Sequence, residues 1–213
     1  MKVIAFNGSP HGDGVVHKGI SLMAEELAAE GIETELINVG HLNIQGCIDC
    51  GKCRQIGRCA IDRDLVNESR DKVNAAAGLI IGSPVYYGSI AGSFKSFLDR
   101  LFFPGINLKY KAAATVTSLR RSGGIDTFHQ LNNYLNLTQA IIVPSVYWAV
   151  IHGNNTGEFA EDLEGQCIMK TMGRNMAWLM KALEKARAEI PLPRDVKREW
   201  TNFIRQKEST TSP

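Results

Sequence analysis

Apolar positions along the 213-residue chain follow two rhythms, and their alternation outlines a fold. The run Lys2-Val3-Ile4-Ala5-Phe6 is continuous and too short for a buried helix, which predicts a central strand. Ile20, Met23, Leu27 and Ile32 then recur near helical spacing and predict an amphipathic helix. Glu33–Val39 reads as a second strand, Asp64–Val73 as a short helix capped by Asp62 or Asp64, and Ala75–Gly82 as a third strand. A helix from about Ile90 to Phe103 follows, with Phe94, Phe97, Leu98 and Leu101 on its apolar face. Lys111–Leu119 is a fourth strand, Phe128, Leu131 and Leu135 mark the next helix, and Ala140–Val146 is a fifth strand.

After a loop from Tyr147 to Gly157, a long helix spans about Asp162 to Glu189. Its stripe is Ile168, Met172, Met176, Leu179 and Leu183, and its methionines, with Trp178 and Cys167, read as buried core. Pro191 and Pro193 end it. Five strand–helix repeats predict an α/β fold, a doubly wound parallel sheet with helices on both faces. Residues 1–190 make one domain, and 191–213 an extension docked through Glu199–Arg205 and frayed from Lys207.

Composition narrows the function. A hydrophobic content of 44% and a charged content of 22% are ordinary for a globular protein. A net charge of +2 gives no reason to expect nucleic acid or a membrane as partner. No apolar run approaches the roughly 20 residues that span a bilayer, and no signal peptide precedes the first strand, so a cytoplasmic location is expected.

In a doubly wound sheet, ligands bind beyond the carboxyl ends of the strands. Three Gly/Ser-rich loops fall there. The first, Gly8-Ser9-Pro10-His11-Gly12-Asp13-Gly14, joins a strand to a helix N-terminus and offers backbone N–H groups and the Ser9 hydroxyl to a phosphate. It lacks both Gly-x-x-x-x-Gly-Lys-Ser/Thr and Gly-x-Gly-x-x-Gly. The second, Ser83–Ser89, presents Pro84, Val85, Tyr86, Tyr87 and Gly88 beside a flat heterocycle. The third, Ser118–Gly124, presents Arg120, Arg121 and the N–H groups of Ser122 and Gly123 to ring carbonyls.

With these loops, Lys95-x-Phe97-Leu98-Asp99-Arg100 completes a pattern that resembles the NADPH-dependent FMN reductases over roughly residues 1–150. The resemblance implies a flavodoxin-like fold with strand order 2-1-3-4-5, FMN as cofactor, NAD(P)H as co-substrate, and a homodimer or homotetramer. It places Ser9, His11, Pro84, Val85, Tyr86, Tyr87 and Gly88 at FMN-holding positions; Val16, Ser118, Arg120, Arg121, Ser122 and Gly123 complete the expected site. The family usually has Arg where this chain has His11, and Gly-Asn-Thr where it has Gly14-Val15-Val16. Backbone donors, with His17 and Lys18, must therefore carry more of the phosphate. No protein acid or base is expected to be catalytic, since the flavin does the redox step. Tyr147, Trp148 and His152 form either a wall over the flavin or a patch at a dimer contact. Asp99 and Arg100 read as a structural pair or helix cap.

The cysteines add a second centre. Cys47-x-x-Cys50-x-x-Cys53-x5-Cys59 has the compact spacing of thiolates around a four-iron four-sulfur cluster, and it resembles the iron–sulfur flavoprotein branch of the family. Free redox thiols and a zinc ion held by four thiolates are the alternatives. The expected function is an FMN-dependent NAD(P)H oxidoreductase with a quinone, free flavin, nitro or azo compound, or redox partner as acceptor. An electron carrier serving ferredoxin-type proteins is the alternative, and a thiol-based redox sensor the third.

Overall fold

The computed structural model describes residues 1–197 and Glu199. The strand expected first, β1 (Lys2–Asn7), lies inside the sheet, flanked in parallel by β2 (Glu33–Asn38) and β3 (Gly78–Tyr86). Beyond β3 come β5 (Ala112–Leu119) and β6 (Ile141–Ile142), also parallel. The order β2-β1-β3-β5-β6 is the expected 2-1-3-4-5 once the short hairpin strand β4 (Ser89–Ile90) is set aside. Because strand side chains alternate, Val3 and Ala5 enter one core and Ile4 and Phe6 the other. The first core is covered by α1 (Val15–Ala29) and α7 (Leu163–Glu189). The second lies under α3 (Val66–Ala75), α4 (Gly92–Phe102) and α5 (Gly124–Leu137).

Three elements depart from the sequence pattern. The fifth strand is split: β6 ends at Ile142, the chain leaves the sheet edge around Pro144, and β7 (Val150–His152) rejoins β5 beside Thr117–Leu119. Proline has no N–H for the ladder, so an edge strand is where such a break is tolerated. A further short helix, α6 (Thr156–Glu161), follows within the expected loop. Second, Ser83–Ser89 is not a loop. β3 runs on to Tyr86 and turns back into β4 through Tyr87 (φ +51°) and Gly88 (φ +70°), two left-handed residues as a two-residue hairpin requires. Third, the buried stripe of α7 is Ile168, Met169, Met172, Met176, Ala177 and Met180. Trp178 follows Met176 by two residues, about 200° around the helix, and is 72% exposed rather than core. Cys167 is exposed as well.

Residues 191–197 hold no regular element, and Lys109 pairs with Asp195. The expected docking and fraying beyond residue 197 lie outside the described residues, Glu199 excepted. Among the described residues, no helix is long and apolar enough to cross a membrane.

Candidate functional site

At the carboxyl edge of the sheet the turns after β1 and β7, with the ends of β3 and β5, enclose a cleft of about 400 Å³, within the size range of cofactor sites. Its walls are Ser9, His11, Asp13, Gly14 and Val15 from the first turn, Pro84–Tyr86 from β3, and Ser118–Arg120 from β5. Residues 153–156 close the fourth side.

The first turn is shaped by Asn7, a fully buried side chain. Its Oδ1 accepts from the Ser9 N–H (3.0 Å), and its Nδ2 donates to the His11 carbonyl (3.2 Å) and to Asn38 Oδ1 (2.9 Å). Ser9 Oγ accepts from the His11 N–H at 3.2 Å. The loop is thus bent before any ligand arrives. Gly8 is obligatory here, because a Cβ would stand 2.2 Å from the buried Phe94 ring. Helix α1 starts at Val15 with no side-chain cap, so its first-turn N–H groups have no side-chain acceptor, and the helix dipole favours negative charge at that end.

The expected site residues divide. Ser9, His11, Pro84, Val85, Tyr86, Ser118 and Arg120 line the cleft together. Val16 does not: its side chain is buried in the core. Tyr87 and Gly88 form the hairpin tip away from the cleft lining, with Tyr87 fully exposed. Arg121, Ser122 and Gly123 face a neighbouring cavity of about 290 Å³, shared with Tyr147, Trp148 and His152. Those three side chains therefore wall the second cavity rather than the cleft. The two hollows abut at Leu119, which lines both. Gly123 packs on the hairpin tip, where a Cβ would come 2.9 Å from the Gly88 Cα.

The sequence pattern assigns no role at the site to Asn7, to residues 153–156 or, within the first loop, to Asp13. Asn7 was visible as a polar residue ending an apolar strand. The 153–156 turn was hidden because the fifth strand was expected to stop at Val146.

The cysteine loop, between β2 and α3, is the second candidate site. Cys47 and Cys50 are exposed, Cys53 is buried at the start of α2 (Cys53–Ile56), and Cys59 is half-buried. All four line one narrow cleft with Arg100, Phe103 and Pro104. Among the described residues, no three His, Cys, Asp or Glu side chains are drawn together as ligands of a single metal ion. Cys47, Cys50, Cys53 and Cys59, four thiols on one cleft, would be the residues to hold a four-iron four-sulfur cluster, which would supply one-electron chemistry there.

Arg100, 1% exposed, ties this loop to α4. Its Nε donates to Cys59 Sγ (3.2 Å), Nη1 to the Gln45 carbonyl (3.0 Å) and Asp64 Oδ2 (2.5 Å), and Nη2 to the Ile61 carbonyl (2.7 Å) and Asp64 Oδ1 (3.1 Å). Burial works against the guanidinium charge, but its bonds to Asp64 and Cys59 outweigh that and raise its pKa. Asn67 clamps the Cys59 backbone, accepting from its N–H and donating to its carbonyl, both at 3.0 Å. Asn67 and Arg58 also hydrogen-bond Asp62, holding its carboxyl below the usual range. Asp99 is bonded instead by Lys95 and Tyr134, so Asp99 and Arg100 are not a pair.

The sheet order and the cleft at its carboxyl edge define a flavodoxin-like α/β protein. The chain belongs to the NADPH-dependent FMN reductase family, whose profile matches residues 1–155, and to its iron–sulfur flavoprotein-like branch. It is 31% identical to an iron–sulfur flavoprotein of Methanocaldococcus jannaschii over 194 residues, 87% of this chain and 100% of that one. Among solved structures it resembles RosB with its bound intermediate 8-demethyl-8-formylriboflavin-5'-phosphate (TM-score 0.69, 17% identity, 100% of this chain and 98% of that chain). It also resembles a flavodoxin from the domain Archaea (TM-score 0.56, 14% identity, 85% and 99%). At these identities the structural likenesses bear on the fold alone.

Proposed function

We propose that the chain is an FMN-dependent oxidoreductase that draws electrons from NAD(P)H and delivers them to a quinone, free flavin, nitro or azo compound, or to a redox protein. The carrying observation is the meeting of the β1 turn with the carboxyl ends of β3 and β5 around one cleft of about 400 Å³ in a chain of the FMN reductase family. When bound, FMN supplies the electron chemistry. Ser9 and the backbone N–H groups at the start of α1 take its phosphate. Pro84, Val85 and Tyr86 shape the space for the ring, and Ser118 and Arg120 place donors near developing negative charge. The reading carries with it a cytoplasmic homodimer or homotetramer. The test is FMN reconstitution followed by anaerobic NADH and NADPH oxidation with each acceptor class. Flavin reduction by either nicotinamide supports the reading, and a flavin that neither reduces overturns the NAD(P)H part of it.

A second reading is favoured by the cysteine cleft: an iron–sulfur flavoprotein that carries electrons to or from ferredoxin-type partners. Four thiols on one cleft, a buried cation bonded to one of them, and relatives named iron–sulfur flavoprotein support it. Iron and acid-labile sulfide analysis of oxygen-free protein decides it. Four of each per chain support the cluster, and none overturns it.

A further inference from the structure

We propose that Arg100 is a positioning residue for the cysteine loop, setting the reduction potential of the cluster there through its hydrogen bond to Cys59, with Asp64 as the opposing charge. The proposal rests on the iron–sulfur reading. All five guanidinium N–H groups have acceptors, and four of them are oxygens: two backbone carbonyls and both oxygens of one carboxylate. The fifth is given to sulfur. A buried, charged donor is thereby held 3.2 Å from Cys59 Sγ, and a hydrogen bond from an ionised donor is stronger than one from a neutral group.

Cys59 cannot easily move away from that donor. Asn67 fixes its backbone on both sides, and the Gln45 and Ile61 carbonyls fix the guanidinium plane. A cluster gains negative charge when it takes an electron. A hydrogen bond and a positive charge at its sulfur ligand therefore favour the reduced form and raise the potential. Asp64 sits on the far side of the same guanidinium, 11% exposed, and works in the opposite direction. Removing the cation and removing the anion must then move the potential with opposite signs.

The experiment compares the parent chain with Arg100→Gln, Arg100→Lys and Asp64→Asn, all purified without oxygen. Iron and sulfide are counted, and the cluster is titrated electrochemically under EPR detection at one pH. Arg100→Gln is expected to cut the reduced-to-oxidised ratio at fixed poise at least tenfold, about 59 mV for a one-electron couple. Arg100→Lys should shift less in the same direction, and Asp64→Asn should shift upward. A role confined to holding the fold would lower cluster content without producing opposite shifts. If Arg100→Gln does not fold, the signs of Arg100→Lys and Asp64→Asn decide the matter. Cluster-loaded variants with unmoved potentials, or shifts of the same sign, would overturn the proposal. A parent chain without iron would overturn the cluster reading before any variant is made.

Discussion

Asn7→Ala isolates what the first turn contributes before a ligand is bound. The side chain makes three hydrogen bonds: two hold the loop carrying Ser9 and His11, and the third ties Asn7 to Asn38 at the end of β2. At about 1 kcal/mol net per bond, the substitution removes roughly 3 kcal/mol of interaction. The Asn38 amide, half-buried, and the exposed His11 residue can recover water. The Ser9 N–H lies in a buried residue and is left unpaired, which costs about 1–3 kcal/mol. Part of that loss appears as lower stability of the free chain. The rest is the cost of ordering the loop around a phosphate. About 1.4–2.8 kcal/mol in binding corresponds to a tenfold to hundredfold weaker FMN dissociation constant. Fluorescence quenching of FMN at fixed ionic strength measures it, and urea unfolding of the apo chain measures the remainder. Asn38→Ala removes one of the three bonds and should have a smaller effect on both. A dissociation constant for Asn7→Ala within twofold of the parent's would refute the claim that this turn cradles the phosphate.

Other expectations concern the fold beneath the site. Met176→Ala should destabilise the chain by about 2–5 kcal/mol through a cavity between α7 and the sheet, while Trp178→Ala should change stability by less than about 0.5 kcal/mol. Equal losses in chemical denaturation would show that the helix face is wrong. The Glu35 carboxyl is held below its ordinary value by hydrogen bonds from Lys2 (2.8 Å) and Lys72 (2.6 Å). A depressed carboxyl contributes stability that is complete above its unfolded pKa of about 4.3 and fades as pH falls through the folded value. Glu35→Gln should therefore lower stability at pH 7 and flatten the fall below about pH 4. An unchanged acid limb in urea midpoints measured from pH 7 to pH 2 would contradict it.

Much of this architecture could be read from residue patterns because local rhythm and tertiary burial agree. Val3, Ile4, Ala5 and Phe6 are apolar on both faces because both faces of β1 are covered. The failures have physical causes. The hairpin at Tyr87 and Gly88 looked like a loop, since two left-handed residues at its tip leave no apolar alternation to read. The split of the fifth strand depends on which side of Pro144 finds a ladder partner on β5, which is a non-local matter. Trp178 was drawn into the core by its size, although its helical phase points it outward. The bond from Arg100 to Cys59 joins residues 41 positions apart, and no local pattern could expose it.

The most direct measurement titrates oxygen-free apo chain with FMN and, in parallel, with riboflavin, which lacks the phosphate. One FMN should bind per chain at micromolar concentration or below, and riboflavin at least tenfold more weakly, because the first turn grips the missing group. A chain that takes up no FMN, or binds the two flavins equally, would contradict it.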